Sequence, residues 1–408
     1  MQKFEDPKFL EKMMKIIQKE EPNVDFENIT EEEIIQLMEK ISDSPKMVKA
    51  FERLFKPYIK KFNAEYDLDK YTILLMGDKK AEFIDEIKDV FTRQVSEPSD
   101  EAKIKTVLPV LEEITDIVSC KVREQYEASP YPRWVNSELR LASVPISHLV
   151  EEMKLKLFED KIKEVQSPKI LIAGCGTGQH SIATGAMFKG SKVLAIDLSL
   201  SSLSYAKRKT EELGIQNIDY MQADILDLGK LGRQFDIVES AGVLHHMDDP
   251  LAGWRVLTDC LKPGGLMKIG LYSELARQHI VEMRQEISKA GIGSSDVAMK
   301  SFRARIMTSE LKHHKRILSF SDFYSLSELK DLLFHVQEHR FTIPQIQDCL
   351  SKLGLKFCGF EADNIVSHFK QTNTGADDPY NLDKWHAYEE GNPRAFAGMY
   401  QFWCQKIA

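Results

Sequence analysis

The sequence predicts an α/β protein built on a doubly wound parallel sheet. Three observations carry that expectation. From about residue 168, short apolar runs of strand type alternate with helical segments, the pattern of a parallel sheet covered by helices. The first run opens into Gly174-Cys175-Gly176-Thr177-Gly178, a bare backbone between a strand and a helix. The end of the chain then supplies one more helix and two further strands, which brings the expected sheet to seven.

The elements follow in order. KILIAG is the first strand and GQHSIATGAMF a helix. KVLAID is the second strand, and SSLSYAKRKTEELG a helix that stops at Gly214. NIDYMQAD and FDIVESAG are the third and fourth strands. DDPLAGWRVLTDCLKPGG is a helix with Pro250 near its start and a Pro-Gly-Gly stop, and LMKIGLYS is the fifth strand. TIPQIQDCLSKLG, LKFCGFE and MYQFWCQK read as helix, strand and closing strand. Residues 274 to 342 interrupt the rhythm. They are helical and rich in charge and histidine, and they form an expected insertion at the carboxyl edge of the sheet, where open α/β folds bind ligands.

Upstream, residues 1–125 read as an all-helical unit. Apolar residues recur at three and four in EEEIIQLMEKI, FERLFKPYIKKF and FIDEIKDVFTRQV, and Thr30 before acidic residues supplies a start signal. The unit is expected to be a cap or a homo-oligomerisation element. Residues 126–167 form a linker in which Pro130 and Pro132 bar a regular helix. Tyr126, Tyr131 and Trp134 make it unusually aromatic, so it is expected to pack over a neighbour.

Composition narrows the function classes. The chain has 408 residues, is 43% hydrophobic and carries a formal net charge of −8. That balance argues against a protein that coats nucleic acid, which needs clustered Lys and Arg. No recognisable RNA-binding module occurs either. The six cysteines form no CxxC pair, which points to a reducing compartment without a disulfide framework. MQKFEDPKFLEKMMK lacks the apolar core of a signal peptide, and no apolar run approaches the roughly 20 residues that span a bilayer. A cytoplasmic protein without membrane attachment is expected.

The glycine spacing is itself informative. A dinucleotide fingerprint would need glycine where Gln179 stands, and no Gly-Lys-Ser/Thr follows for a P-loop. The loop Ala173–Gln179 suits a cofactor with a carboxylate and a sulfonium but no pyrophosphate. Asp197, 19 residues beyond Gly178 at the end of the second strand, can accept ribose hydroxyls, with Leu198 beside it. Asp224 ends the third strand and can accept from an adenine amino group while Ile225 packs the ring.

Glycine loop, acidic strand ends, FDIVESAGVLHHMDDP and LKPGG, in that order, resemble the class I S-adenosylmethionine-dependent methyltransferases over about 168–272 and the final two strands. The resemblance implies a Rossmann-like seven-stranded sheet with a helical N-terminal unit, a lid insertion between the fifth and sixth strands, and S-adenosyl-L-methionine as cofactor. QYEASPYPRW, LIAGCGTGQHSI, DLSLSSLSYAKRKT, GVLHHMDDPLAGW, GLYSELAR, LLFHVQEH and MYQFWCQK resemble, more closely, the catalytic region of bacterial methyltransferases that often carry tetratricopeptide repeats. The repeats themselves are absent here.

Methyl transfer is an in-line displacement with a good leaving group, so alignment matters most and a base only if the acceptor arrives protonated. Glu239 follows the fourth strand near the expected methionine end of the cofactor. His245 and His246 lie just beyond it and are candidate bases. Tyr272 ends the fifth strand at the same edge. Tyr126 and Arg133 are expected to close over the cofactor. His335-Val336-Gln337-Glu338-His339 fits an inverted zinc-protease pattern, which on a helix would set His335, His339 and Glu338 on one face. That face is read as part of an acceptor pocket, with Asp322 and Tyr324 as weaker members, or as a structural polar network, and no metal is expected. KHHKR, Lys312 to Arg316, is read as a solvated basic face.

Three function classes stay open: a methyltransferase acting on a small molecule or a protein side chain, a non-catalytic partner that kept the fold, and a zinc hydrolase. The first is favoured because Gly174, Gly176, Gly178, Asp197 and Asp224 are all intact. A small acceptor is favoured within it, because GVLHHM resembles small-molecule enzymes and the Asn-Pro-Pro-Tyr type motif is absent there.

Overall fold

The computed structural model describes Lys15, Gln18 and residues 92–137, 139–140 and 142–407. The helices expected in EEEIIQLMEKI, FERLFKPYIKKF and most of FIDEIKDVFTRQV, and the start at Thr30, lie outside the described residues. Two compact units divide the chain, Met1–Lys103 and Ile104–Ala408. The division falls between Lys103 and Ile104. Helix α1 (Glu97–Val107) ends inside the second unit, and α2 (Ile117–Ala128) belongs to it entirely.

The second unit is organised by a seven-stranded sheet in the order β3-β2-β1-β4-β5-β7-β6. Its strands are β1 (Lys169–Ala173), β2 (Lys192–Asp197), β3 (Ile218–Gln222), β4 (Phe235–Ala241), β5 (Leu261–Leu271), β6 (Leu355–Phe360) and β7 (Tyr400–Lys406). The first five run parallel, and β7 lies antiparallel between β5 and β6. Side chains alternate between the two faces of a strand. In β1, Leu171 and Ala173 enter one core with Trp254, Leu257 and Phe402, while Ile170 and Ile172 enter the other with Phe188, Leu203 and Trp403. Both faces are thus covered, which is why these strands read as continuous apolar runs. Each fully buried Ile or Leu there contributes about 1.5–3 kcal/mol.

Helices α3 (Ile146–Glu152), α4 (Gln179–Met187), α5 (Leu200–Glu212) and α6 (Pro250–Cys260) precede β5. Their ends obey local chemistry. Ser199 caps α5 through a bond from the Ser202 amide, and Asp249 caps α6 with Pro250 in its first turn. Between β5 and β6 the chain leaves the sheet at Ser273 and returns at Phe341, and a parallel bridge joins those two residues. The excursion contains α7 (Gln278–Lys289), α8 (Asp296–Met307), α9 (Lys312–Ile317) and α10 (Leu326–Phe334), packed around their own core of Met283, Phe302, Ile306 and Phe323. It is a small helical body attached at the carboxyl edge of the sheet.

After it, α11 (Ile343–Leu353) begins with a capping box between Thr342 and Gln345. Two helices unassigned by sequence reading, α12 (Asp363–Phe369) and α13 (Leu382–Gly391), separate β6 from β7. Phe369 and Trp385 stack across them at 3.8 Å and close the first core. No helix among the described residues is long and apolar enough to cross a membrane.

Candidate active site

The glycine loop turns directly off β1. Gly174 has φ +76°, and a Cβ there would lie 2.3 Å from Val243 Cγ2. Gly178, at φ +88°, caps α4, and a Cβ on it would meet Ala206 Cβ at 2.6 Å. Only glycine meets both the left-handed backbone and the contact. The Gly174 and Cys175 amides donate to Ile196 O, and the Gly176 amide donates to Asp197 Oδ2 at 2.8 Å. Asp197 Oδ1 accepts from the Ser199 amide at 2.9 Å. One carboxylate therefore holds the loop and the start of α5 together. Burial raises its pKa, against the lowering effect of those amides.

The aromatic linker is fastened to the same loop. Thr177 Oγ1 donates to Pro132 O, and Trp134 Nε1 donates to Thr177 O at 3.1 Å. Arg133 points elsewhere: it is exposed and lies over the Tyr205 ring. It does not line the pocket, a correction to the sequence expectation.

A cavity of about 290 Å³ opens at the carboxyl ends of the parallel strands. The loop residues Gly174, Cys175, Gly176, Thr177 and Gln179 line it. So do Asp197 and Leu198, Asp224 and Ile225, and His246, Tyr272 and Tyr126. Ala173 and Gly178 stand behind the loop as supports. Glu239 is also behind it. Its buried carboxylate accepts from Thr184 Oγ1 at 2.9 Å and lies 2.6 Å from His180 Nε2, and His180 is the residue at the cavity wall. Burial raises the Glu239 pKa, but His180, Lys268 and Thr184 together outweigh it and leave the net value lowered. Asp224 caps the turn Ile225–Leu231 through the Leu226 amide, and burial raises its pKa while Ser119 opposes the shift.

The histidines divide. His246 lines the cavity, donates through Nδ1 to Gln337 O at 2.7 Å, and so leaves Nε2 as its acceptor. Burial lowers its pKa to about 3. His245 does not reach the cavity. It is fully buried and stacks on Tyr272 at 3.8 Å. Arg277 lies 3.6 Å from the Tyr272 ring centre and pairs with the buried Glu338 at 3.0 Å.

The HVQEH helix does not form. Helix α10 ends at Phe334, and His335 to Phe341 run as an irregular strap. Its backbone bonds go to the sheet edge: His339 N to His245 O, and Phe341 N to Tyr272 O. Glu338 turns to Arg277 and Arg340, and His339 bonds Gln337, so neither lines the cavity. Tyr324 is exposed, with its hydroxyl on Leu318 O, and Asp322 is not at the wall. His335 stacks on His246 at 3.6 Å without reaching the cavity. His246, Asp331 and His335 bring one ligand-type atom each within 4.8 Å. Yet His335 Nδ1 accepts from the Gln337 amide, which puts its proton on Nε2 and removes the lone pair a metal would need. In KHHKR, His314 is buried and bonded to Glu286 at 2.6 Å, so the run is no uniform solvated face.

Residues 170–265, the stretch from β1 into β5, match the family model described as "Methyltransferase domain". This stretch is a methyltransferase domain, and the seven-stranded sheet around it has the class I methyltransferase arrangement. An uncharacterized protein of Synechococcus is 28% identical over 54% of this chain and 56% of its own. The ubiquinone biosynthesis O-methyltransferase of Actinobacillus pleuropneumoniae is 32% identical over 29% of this chain and 52% of its own. The chain spans about half the length of these curated relatives. Among solved structures, PKMT2 from Rickettsia typhi aligns at 16% identity over 66% of this chain and 54% of that one, with a TM-score of 0.49. These matches bear on the wider family and not on the tetratricopeptide-repeat-associated subgroup.

Sequence reading missed Tyr131, His180 and Asp331 at the cavity wall. Tyr131 stood in the quoted linker and His180 directly after the glycine loop, so both had a local signal. Asp331 had none.

Proposed function

We propose that the chain transfers the methyl group of S-adenosylmethionine, by in-line displacement at the sulfonium carbon, to a small-molecule acceptor. The observation that carries this reading is the convergence of the glycine loop, Asp197 and Asp224 on one cavity at the carboxyl edge of the sheet. In it, the loop backbone would hold the methionine part, Asp197 the ribose hydroxyls, and Asp224 with Ile225 the adenine. His180, held by Glu239, faces the cofactor's polar end. The ubiquinone biosynthesis O-methyltransferases among the relatives support a small acceptor. His246 and Tyr272 stand at the methyl end, where orienting the acceptor supplies most of the acceleration.

Calorimetric titration with S-adenosylmethionine and S-adenosylhomocysteine tests it. Micromolar-range binding is expected, lost in Asp197→Ala and in Asp224→Ala, with thermal melts to show that both variants fold. Well-folded wild-type protein that binds neither compound would refute the reading and favour a non-catalytic protein that kept the fold.

A further inference from the structure

The wall of the cavity contributed by α2, the linker, the turn after β4, the end of β5 and the lid has a distinct chemistry. Tyr126, Tyr131, Tyr272, His246 and Asp331 line it. Asp331, on α10, is 93% buried (7% exposed) and makes one hydrogen bond among the described residues, from the Tyr126 hydroxyl at 2.5 Å. No Lys or Arg forms an ion pair with it there. The neighbouring buried carboxylates differ: Glu338 has Arg277 at 3.0 Å, and Glu239 has His180 at 2.6 Å. A buried carboxylate without a cation is costly, and a bound cation removes that cost.

The surroundings reinforce the sign. Asp322 and Glu328 of the same lid add negative potential at Tyr131, and neither forms an ion pair among the described residues. No lysine or arginine lines the cavity; Arg277 and Arg284 lie near enough to act on Asp331 electrostatically, but neither pairs with it or reaches the cavity wall. Tyrosine faces attract cations. His246 is neutral near pH 7 and turns an acceptor nitrogen, not a donor, away from Gln337.

Resting on the methyltransferase reading, we propose that the acceptor atom is a basic amine nitrogen, held by Asp331 within the tyrosine rings. The ammonium gives one proton to the Asp331 carboxylate. The freed nitrogen lone pair forms the N–CH₃ bond as the S–CH₃ bond breaks, and that electron pair stays on sulfur. The sulfonium becomes a neutral thioether, the product nitrogen carries the positive charge, and the proton leaves Asp331 to solvent with the product.

The test uses the full chain saturated with S-adenosylhomocysteine. It is titrated with benzylamine against benzyl alcohol, tyramine against tyrosol, and a lysine peptide against its norleucine counterpart. Methyl transfer from labelled S-adenosylmethionine to each is measured in parallel. The expected result is an at least tenfold preference for the amine of a pair, on the scale of losing one partner of a buried charge pair. Asp331→Asn should abolish that preference, Asp331→Glu should keep part of it, and S-adenosylhomocysteine affinity should stay unchanged. The free amines and the peptide distinguish a small-molecule source from a protein one. Equal binding within the pairs, binding of neither member, or transfer to the alcohols that Asp331→Asn leaves intact would overturn the proposal. So would an Asp331→Asn variant that binds S-adenosylmethionine more weakly but S-adenosylhomocysteine as before, because the carboxylate would then serve the sulfonium. Failure of the wild type to bind S-adenosylhomocysteine at all would instead undo the methyltransferase reading beneath it.

Discussion

Gly174 and Gly214 both have positive φ, +76° and +69°, but their surroundings differ. A Cβ on Gly174 would collide with Val243, whereas nothing lies within 4 Å of one on Gly214. Gly174→Ala should therefore lose about 2–4 kcal/mol, from left-handed strain plus overpacking, together with cofactor binding. Gly214→Ala should lose only about 1 kcal/mol and bind normally. Urea unfolding and calorimetry on the pair check this, and equal behaviour would remove the packing argument. Asp331 offers a second single-residue prediction. Burial raises its pKa to about 6, with Asp322 and Glu338 adding to the shift and Tyr126 and Arg277 opposing it. A folded-state carboxylate pKa above the unfolded one makes the native state bind more protons between roughly pH 4 and 6. Stability from this group therefore falls as pH rises through that window. Asp331→Asn should raise the unfolding free energy above pH 6, by up to about 3 kcal/mol, and the advantage should vanish towards pH 4. A variant less stable than wild type at pH 7.5 would contradict the assignment.

The strap from His335 to Phe341 joins the lid to the sheet edge. Its expected helix rested on spacing alone, and spacing does not report where backbone amides find partners. Here they bond His245 O and Tyr272 O, across long sequence separations, and the side chains follow that backbone. The ion pair of Arg277 and Glu338, 5% and 1% exposed at the side chains, locks the strap. Removing only the arginine leaves a buried carboxylate with the longer Arg340 contact at 3.4 Å. Arg277→Ala should cost about 3 kcal/mol, while Arg277→Met with Glu338→Leu should cost less than half of that. Denaturant titrations of both variants decide it, and a double variant as unstable as the single one would show that the pair itself stabilises the strap.

At the scale of the molecule, cofactor binding and stability are linked. The cavity is built from the carboxyl ends of β1 to β5, α2, the linker and the lid, so a ligand there ties together segments distant in sequence. S-adenosylhomocysteine at 100 times its dissociation constant should raise unfolding free energy by about 2.7 kcal/mol. Amide exchange should slow at Gly174–Gln179, Asp197–Ser199 and Asp224–Leu226. Slowing confined to the lid, without those three segments, would place the ligand elsewhere.

The sequence by itself determined the parts whose physics is local. Strand periodicity, the helix stop at Gly214, and a glycine loop that must turn sharply all depend on neighbours a few residues away; the Pro-Gly-Gly stop did not hold, since α6 ends at Cys260 and Pro263 to Gly265 lie within β5. Asp197 and Asp224 were legible because strand ends in a parallel sheet share one edge. Only the tertiary structure decided the rest. It seated Asp331 beside Tyr126 across 205 residues of chain, put His246 in the cavity and His245 behind it, and turned Glu338 to Arg277. These outcomes depend on which buried polar group finds a partner once the lid packs. Burial and pairing are properties of the assembled core, and no spacing along the chain encodes them.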